Sequence, residues 1–582
     1  MRGIKIGNGG PLSSLGLALA LHAGLGAEPA AAQAAPPAPP VDAARQGEVL
    51  QRQQQEQIQQ DVTRILTSPQ PQTVIEVPTH EKAVASQGSC REIKAIEFEH
   101  SPLLDEGRRR ELTAPYIGRC LGLGDFENLL SDITRFYIEK SRPTTRVYIK
   151  PQSLQQGVLV LDVVEGKVEK VVLDDKAKGT INMTGAFGNV ANKAFNLRVF
   201  EQGLDQVNRL ASNHATLDIL PGSQPGYSVV RISNRVGSRL HVSGSYDNTG
   251  QPSTGRNQAT GTVILDNALG INDLISYSRR QTVLPGGPNR DSRSNSVLFS
   301  VPRNALTLSG GYNDSDYTSQ TVTGGGTVFV LTGHNATAFG RADLQVYRDS
   351  HNKVELSAQI TNKRNRNYIN GIYLPVSSRV LTVLEFDANW SILVGRGSLK
   401  LGMGAVKGLK ALGALDDAIA QTGPGGPRAQ FTKLTAHAYY SIALPAGRTS
   451  LVFSSEVEAQ YAFDPLYSSE QMVIGSPFTV RGFLVGSLVA DRGAFLQNDL
   501  TALLPVQIGP LRGLIRPHLG LDGGFVGSAS PGGPSGTIAG VSGGVGVSAG
   551  PVNLDFTASR AIARGPLPDE GTLAFVRASL SF

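Results

Sequence analysis

Beyond its amino terminus the chain has no apolar run of the roughly 18 residues that a membrane-spanning helix requires. If the mature protein lives in a membrane, it must therefore cross as a closed barrel whose strands satisfy one another's backbone groups. Cysteine is nearly missing. The 582 residues hold 2, Cys90 and Cys120, which leaves no set of thiolates for a metal cage. Methionine is scarce too, at 4, and the long helical apolar patterns of an α-rich enzyme are not found. Catalytic signatures fail in the same way: no His-Glu-x-x-His, no Gly-x-x-x-x-Gly-Lys, and 9 scattered histidines. The stretch Gly546-Val547-Ser548-Ala549-Gly550 matches Gly-x-Ser-x-Gly, but it lies in an alternating strand pattern without the strand-turn-helix context a nucleophile needs. No catalytic residue, metal or cofactor is expected. A strong charge of one sign is also lacking, since the net charge is only +6. The densest basic run, Arg108-Arg109-Arg110, is flanked by Glu106 and Glu111 in a helical pattern and reads as a solvated helix face, so no nucleic-acid partner is expected.

What is present is glycine, at 67, and proline, at 33, spread over a length that implies several domains. Arg2 and Lys5 precede an apolar run over 12–25 and small residues over 27–32, the pattern of a secretory signal peptide, taken as 1–27, although Leu25 fits a cut after Ala27 imperfectly. Residues 41–66 are rich in Gln and in good helix formers but have almost no apolar face. Such a helix is either solvated or seated in a wet cavity. The linker 67–89, with Pro69, Pro71 and Pro78, spans up to roughly 70 Å, more than a membrane's thickness, and is long enough to carry that helix through a pore.

In a chain with a signal peptide, Cys90 and Cys120 are most simply a disulfide. Closing that loop contributes about 3 to 4 kcal/mol on the loop-entropy model. The unit at 90–166 reads as strand 93–99, helix 105–116, helix 126–140, strand 146–150 and strand 158–165. A second unit at 167–237 repeats the order with strand 168–173, a fainter first helix, helix 197–210, strand 215–220 and strand 227–233.

From about residue 240 helical periodicity gives way to a period of two. Leu384, Phe386, Ala388 and Trp390 alternate with Glu385, Asp387 and Asn389, and Val552, Leu554, Phe556 and Ala558 alternate with Asn553, Asp555 and Thr557. One apolar face and one polar face that lines a channel is the pattern of an outer-membrane barrel, and 238–582 has room for about 16 strands around an aqueous lumen. Between two such patterns lies a lid loop at 463–490, whose stretch 475–483, containing Val480-Arg481-Gly482-Phe483, is expected to be a lid segment and not a strand. An arginine beside a glycine is placed for a partner. On a later strand Arg516, His518, Gly520 and Asp522 share the polar side, so the Asp522 carboxylate points to where an inserted loop arrives. Gly520 and Gly524 allow close backbone approach there.

These residues carry a resemblance. Val-Arg-Gly-Phe resembles the lid-loop signature of the outer-membrane superfamily whose members thread or insert polypeptides through a barrel, and Gly520-Leu521-Asp522-Gly523-Gly524 resembles its Gly-x-Asp-x-Gly element. The two βααββ units look like polypeptide-transport-associated (POTRA) domains, whose sheet edges accept an extended client. The full order resembles the transporter partner of two-partner secretion systems (TpsB), similar to filamentous-haemagglutinin and haemolysin secretion/activation proteins. That resemblance implies a 16-stranded transmembrane antiparallel β-barrel in the bacterial outer membrane, two periplasmic POTRA domains and an N-terminal plug helix at 41–66. It also implies export, without ATP, of a partner exoprotein with an N-terminal secretion domain, and contact with outer-membrane lipids. Phe582 resembles the terminal aromatic read by the barrel assembly machinery. The competing readings are an outer-membrane assembly insertase, for which more than two POTRA modules are usual, and a passive porin, which needs none.

Overall fold

The computed structural model describes residues 90–582 apart from residues 102, 175–178, 285–286, 323–327, 421, 424, 448 and 510. The expected signal peptide, the helix at 41–66 and the linker at 67–89 lie outside the described residues.

In the first α+β unit the strand Ala95–Glu99 runs parallel to Val158–Val164, which pairs antiparallel with Arg146–Ile149 on its other side. The helices Glu106–Thr113 and Leu123–Glu139 cover one face. Leu129, Ile133, Phe136 and Tyr137 recur at helical spacing and pack on Val147, Leu159, Leu161 and Val163. The first helix is capped by Asp105, whose carboxylate accepts the Arg108 N–H at 2.8 Å. Its arginines are paired locally, Arg108 with Glu111 at 2.5 Å and Arg110 with Glu106 at 3.2 Å. The second helix begins three residues before the expected 126, because the Gly122 N–H is satisfied by Asp125 at 2.9 Å and a turn forms ahead of the periodic run. A further small ladder joins Arg91–Ile93 to Arg119–Leu121. It lies beside the Cys90–Cys120 disulfide, whose Cα atoms are 5.2 Å apart.

The second unit repeats the sheet with Lys167–Leu173, Tyr227–Val236 and Asn213–Pro221. The first helix is only Met183–Phe187, ended by Gly188 at φ +66°. The helix Leu197–Asn208 supplies Phe200, Leu204 and Val207 to a core with Phe187, Phe195, Val230 and Ile232. Arg142 donates to the Phe195 carbonyl at 2.8 Å and the Leu197 N–H to the Ser141 carbonyl at 2.9 Å, so the two units are tied together.

Residues 240–581 form a closed antiparallel barrel of 16 strands, the last, Thr572–Ser581, pairing with the first, Leu240–Asp247. The accessible face is the apolar one: Leu356, Ile360, Phe386, Trp390, Leu519, Leu521, Leu554 and Phe556 are exposed. Ser300, Asn313, Ser315, Asn335, Asn365 and Asn367 are buried. That inversion of the soluble-protein rule is what a barrel wall between lipid and a polar lumen demands. No helix among the described residues is long and apolar enough to cross a membrane.

The second α+β unit docks on one mouth of the barrel. Arg348, from the end of the strand Val328–Arg348, pairs with Asp205 and lies 3.4 Å from the fully buried Glu201. Arg209 donates to Ser300 Oγ at 3.0 Å and to the Asn272 carbonyl at 3.1 Å. Burial pushes its guanidinium down to about 10, against the pull of Asp266 and Asp273, so it stays charged at neutral pH. At the opposite mouth the chain leaves the strand Thr449–Ala462, enters the barrel, and returns to Arg492–Ile508. Within the loop 463–490 the stretch 475–483 is free of strand, as expected of a lid segment, but the loop also holds a short ladder. Met472–Ile474 pairs with Leu488–Ala490 to make a short hairpin stem, while residues 463–471 and 475–487 are free of strand.

Candidate functional site

The lid is held at its root by buried charge. Glu470, 2 % exposed, sits between Lys363 Nζ at 2.6 Å and Lys433 Nζ at 3.3 Å, lysines that project from two different barrel strands. Asp491 fixes the returning end by accepting from the Leu466 and Ala529 N–H groups at 2.9 and 2.8 Å, from Gln471 at 2.9 Å and from Ser528 at 3.1 Å. The hairpin stem then carries residues 475–487 inward, where Ser476 and Thr479 close a turn through their hydroxyls at 3.0 Å.

At the tip, side chains make two kinds of contact. Val480 and Phe483 are fully buried in a cluster with Met472, Ile474, Phe495, Val526 and Ile538, which seals the lid against the wall. Arg481 reaches carboxylates further along the same two strands. Its Nε and Nη2 donate to the two oxygens of Asp522 at 2.6 and 2.5 Å, and its backbone N–H adds a third bond to the same carboxylate at 3.0 Å. Nη1 donates to Asp499 at 2.6 Å and Nη2 also to the Asn498 carbonyl at 3.2 Å. The fork is thus shared between two carboxylates on neighbouring strands, Asp522 with no exposed surface and Asp499 about one-third exposed. Shielding makes such a bidentate contact shorter and stronger than a surface pair.

Each glycine of the motifs has a steric reason. Gly482 adopts φ +104°, and a Cβ there would lie 2.5 Å from the Arg560 carbonyl carbon and the Ala561 nitrogen. A Cβ on Gly520 would strike the Arg481 guanidinium and Ser542 Oγ, while one on Gly524 would come within 2.9 Å of Phe495 and 3.2 Å of Val480. The structure therefore brings Val480, Arg481, Gly482 and Phe483 together with Gly520, Asp522 and Gly524 in one place. Cys90, Cys120 and Phe582 lie elsewhere, the first two in the α+β units and the last at the barrel seam.

Several residues of the site have no signature in the sequence. Asp499 alternates correctly with Leu496 and Leu500, and that polar-face position was the available signal. Gly540, whose Cβ would overlap the Arg481 carbonyl, and Glu470, Glu570 and Gln251 sit outside any motif. A cluster of Glu99, His100 and Asp162 in the first α+β unit offers three ligand atoms, but Lys150 already bonds Glu99 at 2.8 Å and Asp162 at 3.0 Å. Ser548 lies within the barrel strand Gly536–Ala549. What the lid's geometry supplies is mechanical: a peptide segment locked to the wall of a polar lumen by charge at its root and tip.

The family model for haemolysin secretion/activation protein ShlB/FhaC/HecB matches residues 226–547, more than half of the chain. The chain belongs to this family. As a transporter of the two-partner secretion type it is an outer-membrane β-barrel protein, and its two α+β units, matched by POTRA models over 92–166 and 167–221, are periplasmic. Its lid therefore enters from the cell exterior and its POTRA dock faces the periplasm. The outer membrane transporter CdiB of Dickeya dadantii is 33 % identical over 461 residues, 78 % of each chain. The hemolysin transporter protein ShlB of Serratia marcescens is 33 % identical over 411 residues, 70 % of this chain and 71 % of its own. Among solved structures, CdiB from Escherichia coli superposes with a TM-score of 0.80 at 26 % identity, covering 94 % of this chain and 99 % of that one. CdiB from Acinetobacter baumannii shares the fold, with a TM-score of 0.74 at 18 % identity over 93 % of this chain and 99 % of its own.

Proposed function

We propose that this transporter captures a partner exoprotein in the periplasm through its POTRA domains and passes it through the barrel without ATP, the partner presenting an N-terminal secretion domain. The observation that carries the reading is the Arg481 clamp, which keeps a removable segment inside a lumen otherwise lined by polar side chains. A passive porin has no need of such a lock. Ala95–Glu99 and Arg146–Ile149 are sheet edges in the first POTRA domain, as are Asn213–Pro221 and, beyond the start that Asn192 and Lys193 already bond, Lys167–Leu173 in the second, and an unpaired edge is what an extended client adds to. The apolar belt is the surface that meets outer-membrane lipid, the Cys90–Cys120 bond braces the first capture module, and Phe582 serves recognition by the assembly machinery. Within this scheme Arg481 and Asp522 hold the lid shut and the segment 41–66 occupies the lumen as a plug.

Removal of residues 91–166 tests the capture step. The truncated protein should still show heat-modifiable migration of a folded barrel but no longer bind the secretion domain of an exoprotein that the intact chain secretes. Normal capture by the truncated protein would place recognition elsewhere.

A further inference from the structure

The barrel's shortest wall ladder is the one where it closes. Residues 577–581 pair with residues 243–247, a short ladder beside that of Leu306–Val322, which pairs along its whole length with the next strand. Both ends of the closure are patched. Phe582 exchanges backbone hydrogen bonds with Val242 at 2.9 and 3.2 Å. Beyond the other end, the Asn248 side chain donates to the Ala574 carbonyl at 3.1 Å and accepts the Val576 N–H at 2.8 Å, standing in for a missing strand partner.

The lid reaches both sides of that junction. Glu570, in the turn before the last strand, accepts three consecutive lid N–H groups: Leu484 at 3.1 Å, Val485 at 3.0 Å and Gly486 at 2.7 Å. A carboxylate in a cradle of backbone amides is a charge-assisted contact. Gln251, in the turn after the first strand, donates to the Leu484 carbonyl at 2.6 Å. Leu484 is itself buried, at 2 % exposure, and Leu567 from the turn of Glu570 packs on the lid's apolar cluster. A single lid residue thus bonds the last turn through its N–H and the first turn through its carbonyl.

We infer that residues 484–486 staple the closure seam, and that Glu570 and Gln251 are positioning residues which tie the state of the lid to the tightness of the barrel. The clamp at Arg481 acts on Arg492–Ile508 and Leu511–Gly527, several strands away, so the two attachments are separable. When the arm at 484–486 leaves its seat, the short ladder loses its outer support, and the seam opens more often by local unfolding.

Hydrogen exchange of the full-length protein in detergent reads this directly. Gln251→Ala and Glu570→Ala should each lower protection in 240–247 and 572–581 by roughly tenfold, the loss expected for hydrogen bonds to a charged or buried group. Glu570→Gln, which keeps one carbonyl acceptor, should lose less. Loss confined to 484–490 with an unchanged seam would overturn the staple. A second measurement covers variants that fold poorly. Ser245 and Ser579 are opposed across the seam, and a Ser245→Cys/Ser579→Cys disulfide closes it covalently. In that background Gln251→Ala should no longer lower the temperature at which the folded band converts on unboiled gels. An undiminished shift would show that Gln251 stabilises the lid alone and would reject the inference.

Discussion

Arg481 distributes its donors unequally, and that inequality predicts the ranking of its partners. Asp522 accepts three of its bonds and has no exposed surface, whereas Asp499 accepts one and stays partly solvated. Replacing Asp522 leaves a guanidinium short of its main counter-ion in a confined site, a loss of about 3 to 5 kcal/mol for a broken buried pair. Asp499→Asn should cost no more than about 1 kcal/mol, as exposed pairs do. In a double-mutant cycle on barrel heat stability, Arg481→Ala and Asp522→Ala should show a coupling of about 0.5 to 3 kcal/mol. Arg481→Lys keeps the charge but has one ammonium in place of a planar fork, so it should behave nearly as Arg481→Ala in retaining the lid. Additive effects of the two alanine changes, together with unimpaired export by each, would remove the lock. The glycines set a different limit. Gly520→Ala should damage the same site without touching a charge, because the added methyl would occupy the guanidinium's seat.

At the scale of elements, the readable features are those in which one physical rule governs a whole run. Barrel strands alternate because one face meets lipid and the other water, so 384–390 and 552–558 declared themselves. The POTRA helices declared themselves through Leu129, Ile133 and Phe136. Short or relational features left no such trace. Met472–Ile474 and Leu488–Ala490 are three residues each, too brief for a period, and 13 residues of lid separate them. Glu570 and Gln251 find Leu484 across 86 and 233 residues of sequence, and ordinary loop residues carry no mark of such a partner. The POTRA dock is hidden for the same reason: Glu201 and Arg348 are 147 positions apart and only meet because the helix Leu197–Asn208 lies on the barrel rim. Arg348→Ala should therefore loosen that dock, since Glu201 and Asp205 each lose an ion pair with it. Faster hydrogen exchange and protease cleavage across 197–208, with the barrel's heat stability kept, is the expected result. An unchanged helix would mean that other contacts, such as Arg209 with Ser300 and the Asn272 carbonyl and Gln206 with Thr307, suffice to hold the dock.

On the scale of the whole molecule, the lid is bound to one side of the barrel wall. Its tip meets Asp522, five residues from the outer end of the strand Leu511–Gly527, or about 17 Å along the strand at about 3.4 Å per residue. It lies against the wall, with Val480 and Phe483 turned into the apolar cluster and Arg481 into the strands. A closed barrel of 16 strands is of the size that encloses an aqueous lumen. In the proposed scheme the second obstruction is the polar segment 41–66, whose sequence has amide side chains suited to a wet cavity and a linker long enough to return to residue 90. Deleting 41–66 should raise single-channel conductance in planar bilayers severalfold while the protein retains heat-modifiable migration. Arg481→Ala, which frees only the wall-bound tip, should change conductance less and chiefly increase its fluctuation. Equal conductance with and without 41–66 would mean the lumen is closed by the lid and barrel side chains, and the plug would have to be abandoned.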